Sequence, residues 1–319
     1  MAVLSPFDLI RQDLQAVEQR MRALPFSASD PIPSVLEDLL NSGGKRIRPA
    51  LTLLFGKMFA VPDAPLHSLA AAIEIVHTAT LVHDDLIDNA HLRRGKPTAN
   101  AKWEPGAAIL MGDFLFAWAA QLAAAAGSTP VMQRFAAALT TVVSGEIGQM
   151  FGKATAHTFE EYLRRIQEKT ATLFEAACES PLLLVTRPAE AKQAAAYGLN
   201  FGIAFQMADD ILDVTGDSNR MGKPVESDLE QGLITLPTIY YGDLHPEDPD
   251  LRALLSGHRA SADIDRLLRA IRASDAVDRA RARAREFAGK ASAALATLPA
   301  GAWRDALQEI TLFAVERNQ

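Results

Sequence analysis

The 319-residue chain is 49 % apolar and carries 32 Lys and Arg against 39 Asp and Glu, a formal charge of −7. That balance opposes a general nucleic-acid binder, which needs a broad basic surface, although a phosphate ligand needs only a few local cations. Its one cysteine, Cys178, excludes an intrachain disulfide and fits a reducing cytoplasm.

Abundant alanine, 7 % aromatic residues and the lack of long Val, Ile and Thr strings favour helix over sheet. The opening MAVLSPFDLIRQDLQ has no basic lead followed by an apolar block, so no signal peptide is expected. Helical periods then fill the chain, without strand-like alternation of useful length. Breakers divide them at Pro25, Asp30 to Pro33, Gly43-Gly44, Pro62 with Pro65, Gly95 to Pro97, Gly127 to Pro130, Pro188, Gly216 to Pro224 and Gly242 to Pro249. Residues 107–127, AAILMGDFLFAWAAQLAAAAG, are long enough to cross a membrane, but Asp113 lies among them. A central carboxylate costs roughly 2.5–3.5 kcal/mol on insertion scales, so a helix through a large protein core is expected instead. Cys178 reads as a small buried residue. The arginine run near 266–287 is interleaved with Asp and Glu and reads as a solvated helix face. No domain boundary stands out, so residues 1–319 are expected to form one domain.

The chemistry is concentrated in two places. Residues 77–97 read HTATLVHDDLIDNAHLRRGKP, in which Asp84 and Asp88 fall one turn apart on one helix face. Asp85 is rotated away by roughly 100° and is the weaker candidate for the same ion. Residues 202–213, GIAFQMADDILD, repeat the spacing with Asp209, Asp210 and Asp213. Two such clusters in apolar helices are costly unless a cation compensates. Mg²⁺ suits carboxylate oxygens, keeps water and is bridged to substrate phosphates; the His and Cys ligands of zinc are missing at both places. Arg93 and Arg94 follow the first cluster. Upstream, GGKRIRP offers Lys45, Arg46 and Arg48 after paired glycines, a pattern suited to anion capture.

GGKRIRP, HxxxLxHDDxxDxxxxRRGxP, GDFL, Lys169-Thr170, FQxxDDxLD and GKPxxxDLxxG occur in this order. The chain resembles the trans-isoprenyl diphosphate synthases, or polyprenyl synthetases, from about Pro33 to the closing LFAVER. The resemblance implies an all-α bundle around a deep central cavity, a homodimer, and Mg²⁺-assisted ionisation of an allylic diphosphate followed by attack of isopentenyl diphosphate. It implies a metal role for Asp84, Asp88 and Asp209, with three Mg²⁺ ions when the allylic diphosphate is bound. Arg93, Lys169, Thr170, Gln206 and Lys223 would line the allylic site, and Lys45, Arg48, His77 and Arg94 the isopentenyl site. Leu233 stands where many relatives carry a diphosphate-contacting lysine.

Product length is read from the helix before Asp84. Thr80 and Ala79 lie about 6 and 7.5 Å along it and are small, where short-chain relatives often place an aromatic ring. A tunnel open past C20 is expected, its floor set by bulky residues of 131–150 such as Phe135 and Leu139, giving about C25 to C50. A C20 geranylgeranyl diphosphate synthase is the alternative. A class I terpene cyclase is opposed by the repeated DDILD, and a non-catalytic subunit of a heteromeric synthase by the intact aspartates.

Overall fold

Alanine- and leucine-rich stretches punctuated by Pro, Gly and Asp form helices throughout the computed structural model, which describes residues 5–23, 37, 39–40, 44–93, 96–151, 158–216 and 228–316. After a short 3₁₀ turn, Asp8–Ile10, come α1 (Arg11–Arg22), α2 (Ile47–Met58) and α3 (Asp63–Ile87). A two-residue hairpin follows, β1 (Leu92–Arg93) against β2 (Lys96–Pro97), then α4 (Ala99–Lys102), α5 (Pro105–Ala124), α6 (Thr129–Phe151) and α7 (Phe159–Ile166). A π-helical turn, Gln167–Ala171, joins α7 to α8 (Thr172–Leu184) and so to α9 (Pro188–Thr215). The remainder is α10 (Asp228–Gln231), α11 (Leu236–Leu244), α12 (Pro249–Leu255), α13 (Ser261–Ala273), α14 (Ala276–Ala296) and α15 (Ala302–Glu316). The hairpin is strand pairing where none was expected, and Pro65 sits in the first turn of α3, where a missing N–H is harmless.

The chain divides into two compact units. The first comprises Met1–Ala138, Ala176–Ala195 and Leu298–Leu307. Its core helix is α3, whose middle, Leu69 to Val76, is buried on all sides, as a helix apolar all round should be. Gly56 of α2 makes room for Leu66; a Cβ there would meet Leu66 Cδ1 at 2.3 Å. Arg46, with a left-handed φ of 49°, turns inward to donate to the Leu40 carbonyl at 2.7 Å and to pair with buried Glu74 at 3.1 Å. The middle cation of GGKRIRP is therefore an anchor. Lys57 Nζ lies 2.7 Å from Asp13 and 2.8 Å from Asp63, so the acidic group these form with His67 already holds a cation.

Helix α5 packs against α3, with Gly112 beneath the His83 ring, where a Cβ would lie 2.1 Å from Nε2. Its other side departs from the expected core helix. Leu110 is 70 % exposed, Ile109 is exposed too, and fewer than half the residues of its most apolar stretch are buried. By length and composition α3 and α5 could each cross a membrane, but α3 is mostly buried within the protein.

The second unit comprises Leu139–Glu175, Ala196–Thr297 and Gln308–Gln319. Its core gathers Tyr162, Met207, Ile211, Leu236, Leu267 and Phe287. Gly198 of α9 lets the α8 backbone approach closely, and Phe174 packs edge-on to Phe201 with ring centroids 5.2 Å apart. The arginine run behaves as a solvated face: Arg266 pairs with Asp250 at 2.7 Å and Arg281 with Asp278 at 3.1 Å. Cys178, in the first unit, is buried.

A Cβ at Gly198 would come within 2.5 Å of the Phe174 carbonyl oxygen, an obstacle made of backbone. Gly198→Ala should therefore destabilise by about 1–3 kcal/mol despite alanine's better helix propensity. A lowered midpoint in denaturant titration checks this; an unchanged or raised midpoint contradicts it.

Candidate active site

Helix α3 turns polar at its C-terminal end. Asp84 and Asp85 occupy its last turn and Asp88 is its C-cap, its N–H donating to the Asp84 carbonyl at 2.8 Å. Acidic groups are disfavoured there, because the carbonyls of a last turn already form the negative end of the helix dipole. Asp84 is partly buried and Asp88 exposed. Asp85 points inward, 5 % exposed, and accepts from Arg93 Nε at 2.7 Å. Burial pushes the Asp85 carboxyl up, and the Arg93 guanidinium opposes that shift. The hairpin holds the arginine there, pairing Arg93 with Lys96 and Leu92 with Pro97.

Around that set, His77 is partly buried and its carbonyl accepts the Thr80 hydroxyl at 2.8 Å. Lys45 is exposed and Arg48 partly buried. Arg94 and Lys223 lie outside the described residues. Ala79 is 0 % exposed, whereas Thr80 keeps part of its surface open, which favours a packing role for Ala79. Phe135 is buried and Leu139 partly so.

The second set also sits at a helix C-terminus, that of α9, and again no basic residue occupies the last turn. Asp209 is partly exposed. Asp210 is buried, accepting from Tyr162 Oη on one oxygen and Gln206 Nε2 on the other, both at 2.7 Å. Burial pushes Asp210 up to about 6 against these two donors, and pushes the Tyr162 phenol well above its ordinary range. Asp213 accepts the Asp228 N–H at 3.1 Å and is itself raised by burial. Asp228 is pushed up to about 8, first by burial and then by Asp213 and Asp210. The turn after Asp228 brings the Leu233 N–H back to the Asp228 carbonyl at 2.7 Å.

The π turn shapes the other side of this set. Thr172 N–H reaches back to the Gln167 carbonyl, a wider loop than an α-helix makes, and such turns often mark functional sites by re-aiming side chains. Lys169 then pairs with Glu146 at 2.7 Å, and the Thr170 hydroxyl donates to Gln206 Oε1 at 2.8 Å. The motifs of the sequence assign no role to Tyr162, Glu146 or Asp228. Tyr162 lies seven residues before Lys169, two helical turns, and Asp228 lies inside GKPxxxDLxxG; those spacings are the signals the sequence carries.

A cavity of about 320 Å³ in the second unit, lined by Ala208, Ile211, Leu212, Arg281 and Arg285 among others, uses another face of α9 and none of the implied ligands. Among the described residues, neither aspartate set closes three ligand atoms within 4.8 Å of one another. Oxygen-only donors in an open arrangement fit Mg²⁺, which completes its shell with water and substrate phosphate.

The polyprenyl synthetase family profile matches residues 30–272. The chain belongs to the polyprenyl synthetase family. It is 35 % identical over all of itself and all of the heptaprenyl diphosphate synthase component 2 of Geobacillus stearothermophilus. With the octaprenyl diphosphate synthase of Escherichia coli it shares 37 % over 88 % of each chain. The polyprenyl synthase of Caulobacter crescentus, solved with calcium and isoprenyl diphosphate, superposes with a TM-score of 0.91 at 35 % identity, over 98 % of this chain and 97 % of that one. The family's all-α isoprenoid synthase fold and its trans-prenyl transfer are therefore those of this chain. Members use Mg²⁺ and condense allylic with isopentenyl diphosphate.

Asp210 and Asp228 generate a pH dependence. Both ionise near 3.8 when unperturbed but hold their protons up to about 6 and about 8 in the folded protein. Between those limits the folded state binds more protons than the unfolded, so stability falls as pH rises. In EDTA the melting temperature should drop between pH 4 and 8, and less steeply in Asp228→Asn. Parallel profiles for the two proteins would contradict the assignment.

Proposed function

We propose that the chain elongates an allylic prenyl diphosphate with isopentenyl diphosphate to a medium-to-long all-trans product of about C25 to C50. The observation that carries the reading is the placing of two aspartate sets at the negative ends of apolar helices, one of them tied through Asp210 to Gln206 and Thr170. Asp84, Asp88 and Asp209 would hold three Mg²⁺ ions, which neutralise charge on the departing pyrophosphate. Asp85, Asp210 and Asp213 support them from behind, as their hydrogen bonds suggest.

Arg93, Lys169, Thr170, Gln206 and Lys223 would hold the allylic diphosphate, and Lys45, Arg48, His77 and Arg94 the isopentenyl diphosphate. On ionisation the allylic C–O bond breaks and the isopentenyl double bond attacks the carbocation. The new cation loses a proton to the released pyrophosphate, so no strong protein base is required. Apolar walls keep out the water that would quench the cation. We read residues 1–319 as one domain, because α6, α8 and α9 each pass a unit boundary without a break. A homodimer is supported by Leu110 on α5 and by Ile147, Met150 and Phe151 on α6, all exposed and apolar. Sedimentation at micromolar concentration reads the assembly directly. A reducing, cytoplasmic setting agrees with the single buried thiol.

Purified protein incubated with Mg²⁺, isopentenyl diphosphate and allylic primers should release products that can be sized directly. Asp84→Ala or Asp209→Ala should lower kcat by a factor on the order of 10³ while leaving the fold intact. Near-normal turnover in both variants would refute the metal assignment.

The heptaprenyl and octaprenyl names of the relatives support the longer product class. With Ala79 buried, Thr80 is the position of the pair that can face a growing chain. Thr80→Phe should shift products toward C15–C20 with the first condensation spared. Ala79→Phe should instead lose about 1–3 kcal/mol of stability through overpacking. A wild type that stops at C20, or an unchanged distribution in Thr80→Phe, overturns the length assignment.

A further inference from the structure

Tyr162 and Asp210 are a buried polar pair inside the apolar core of the second unit, 0 % and 5 % exposed, beside Ile166, Met207 and Ile211. A carboxylate in such surroundings is costly unless each oxygen finds a donor. Here the Tyr162 hydroxyl takes Oδ2 and the Gln206 amide takes Oδ1, both at 2.7 Å, so the carboxylate is gripped from two sides. That grip also fixes Gln206. One N–H₂ hydrogen is committed to Asp210 while Oε1 accepts the Thr170 hydroxyl at 2.8 Å, which leaves the amide one plane and one direction for its second N–H. The result is a chain of four side chains, Tyr162–Asp210–Gln206–Thr170, running from α7 through α9 to the π turn. Its last two members, Gln206 and Thr170, belong to the allylic set, and Lys45, Arg48 and His77 are not among its four side chains.

We propose that Tyr162 is a positioning residue for the allylic diphosphate: through the Asp210 carboxylate its hydroxyl sets the Gln206 amide, whose second N–H receives that group while the Thr170 hydroxyl holds Oε1. The proposal deepens the reading of function given above and rests on it. Without the hydroxyl, Asp210 can rotate, Gln206 can flip, and the allylic diphosphate meets an amide donor that must be ordered on binding. The isopentenyl diphosphate should be unaffected, because Lys45, Arg48 and His77 are not among the four side chains.

Tyr162→Phe removes one oxygen and keeps the ring packing. It should raise the KM for farnesyl diphosphate by about tenfold, the effect of one charge-assisted hydrogen bond, and change the KM for isopentenyl diphosphate by less than about twofold. Calorimetric titration with the non-ionising farnesyl thiolodiphosphate in Mg²⁺ should give the same factor in Kd. In a Gln206→Leu background the substitution should add nothing further, since the hydroxyl acts through that amide. Should Tyr162→Phe fold poorly, Asp210→Asn breaks the same link, and the same two KM values and the same titration decide. An unchanged allylic KM, an equal rise for both substrates, or a full multiplicative effect in the Gln206→Leu background overturns the proposal. A wild type that binds the thiolodiphosphate but condenses nothing would refute the function, while the binding comparison would still decide the role of Tyr162.

Discussion

Six aspartates at the negative ends of two helices are the constraint to which much of the remaining structure responds. Each carboxylate near the last turn of α3 or α9 opposes the local backbone dipole by about 0.3–1 kcal/mol, and the buried ones add desolvation. A protein selected for stability alone would place lysine or arginine there. Compensation instead comes in two kinds. Asp85 takes Arg93, Asp210 takes Tyr162 and Gln206, and Asp213 takes the Asp228 N–H. Asp84, Asp88 and Asp209 keep part of their surface open, and a cation is what their chemistry calls for.

Several irregularities of the fold serve that division of labour. The hairpin after α3 returns Arg93 to Asp85, and the π turn aims Lys169 at Glu146 and Thr170 at Gln206. Gly112 lets α5 close over His83, one residue before Asp84, and Gly198 brings α8 and α9 together. Small side chains thus set the helix separations, and polar pairs set the orientation of the ligating groups. Arg46 follows the same economy: its neighbours Lys45 and Arg48 are implied in binding, while Arg46 itself anchors the loop on Glu74.

Much of this was legible in the sequence because it depends on period and spacing. The helical class, the two DDxxD repeats and the accompanying cations are local patterns, and family membership follows from their order. What stayed hidden depends on tertiary neighbours. Nothing in EYLRRIQEKT announces that Tyr162 reaches a carboxylate 48 residues away or that the backbone widens into a π turn. Ala79 and Thr80 are both small in sequence, and only packing separates the buried one from the accessible one. The apolar 107–127 segment read as a core helix because composition cannot tell a face covered by its own chain from one left open.

The central claim is that the aspartates divide into ligating and supporting groups. Anomalous diffraction from crystals grown with Mn²⁺ and farnesyl thiolodiphosphate tests it most directly. The account predicts metal peaks within about 2.0–2.3 Å of Asp84, Asp88 and Asp209 oxygens, with Asp85 still on Arg93 and Asp210 still on Tyr162 and Gln206. Metal ligated by Asp85 or Asp210, or found only at the Asp13–Asp63–His67 group, would contradict it.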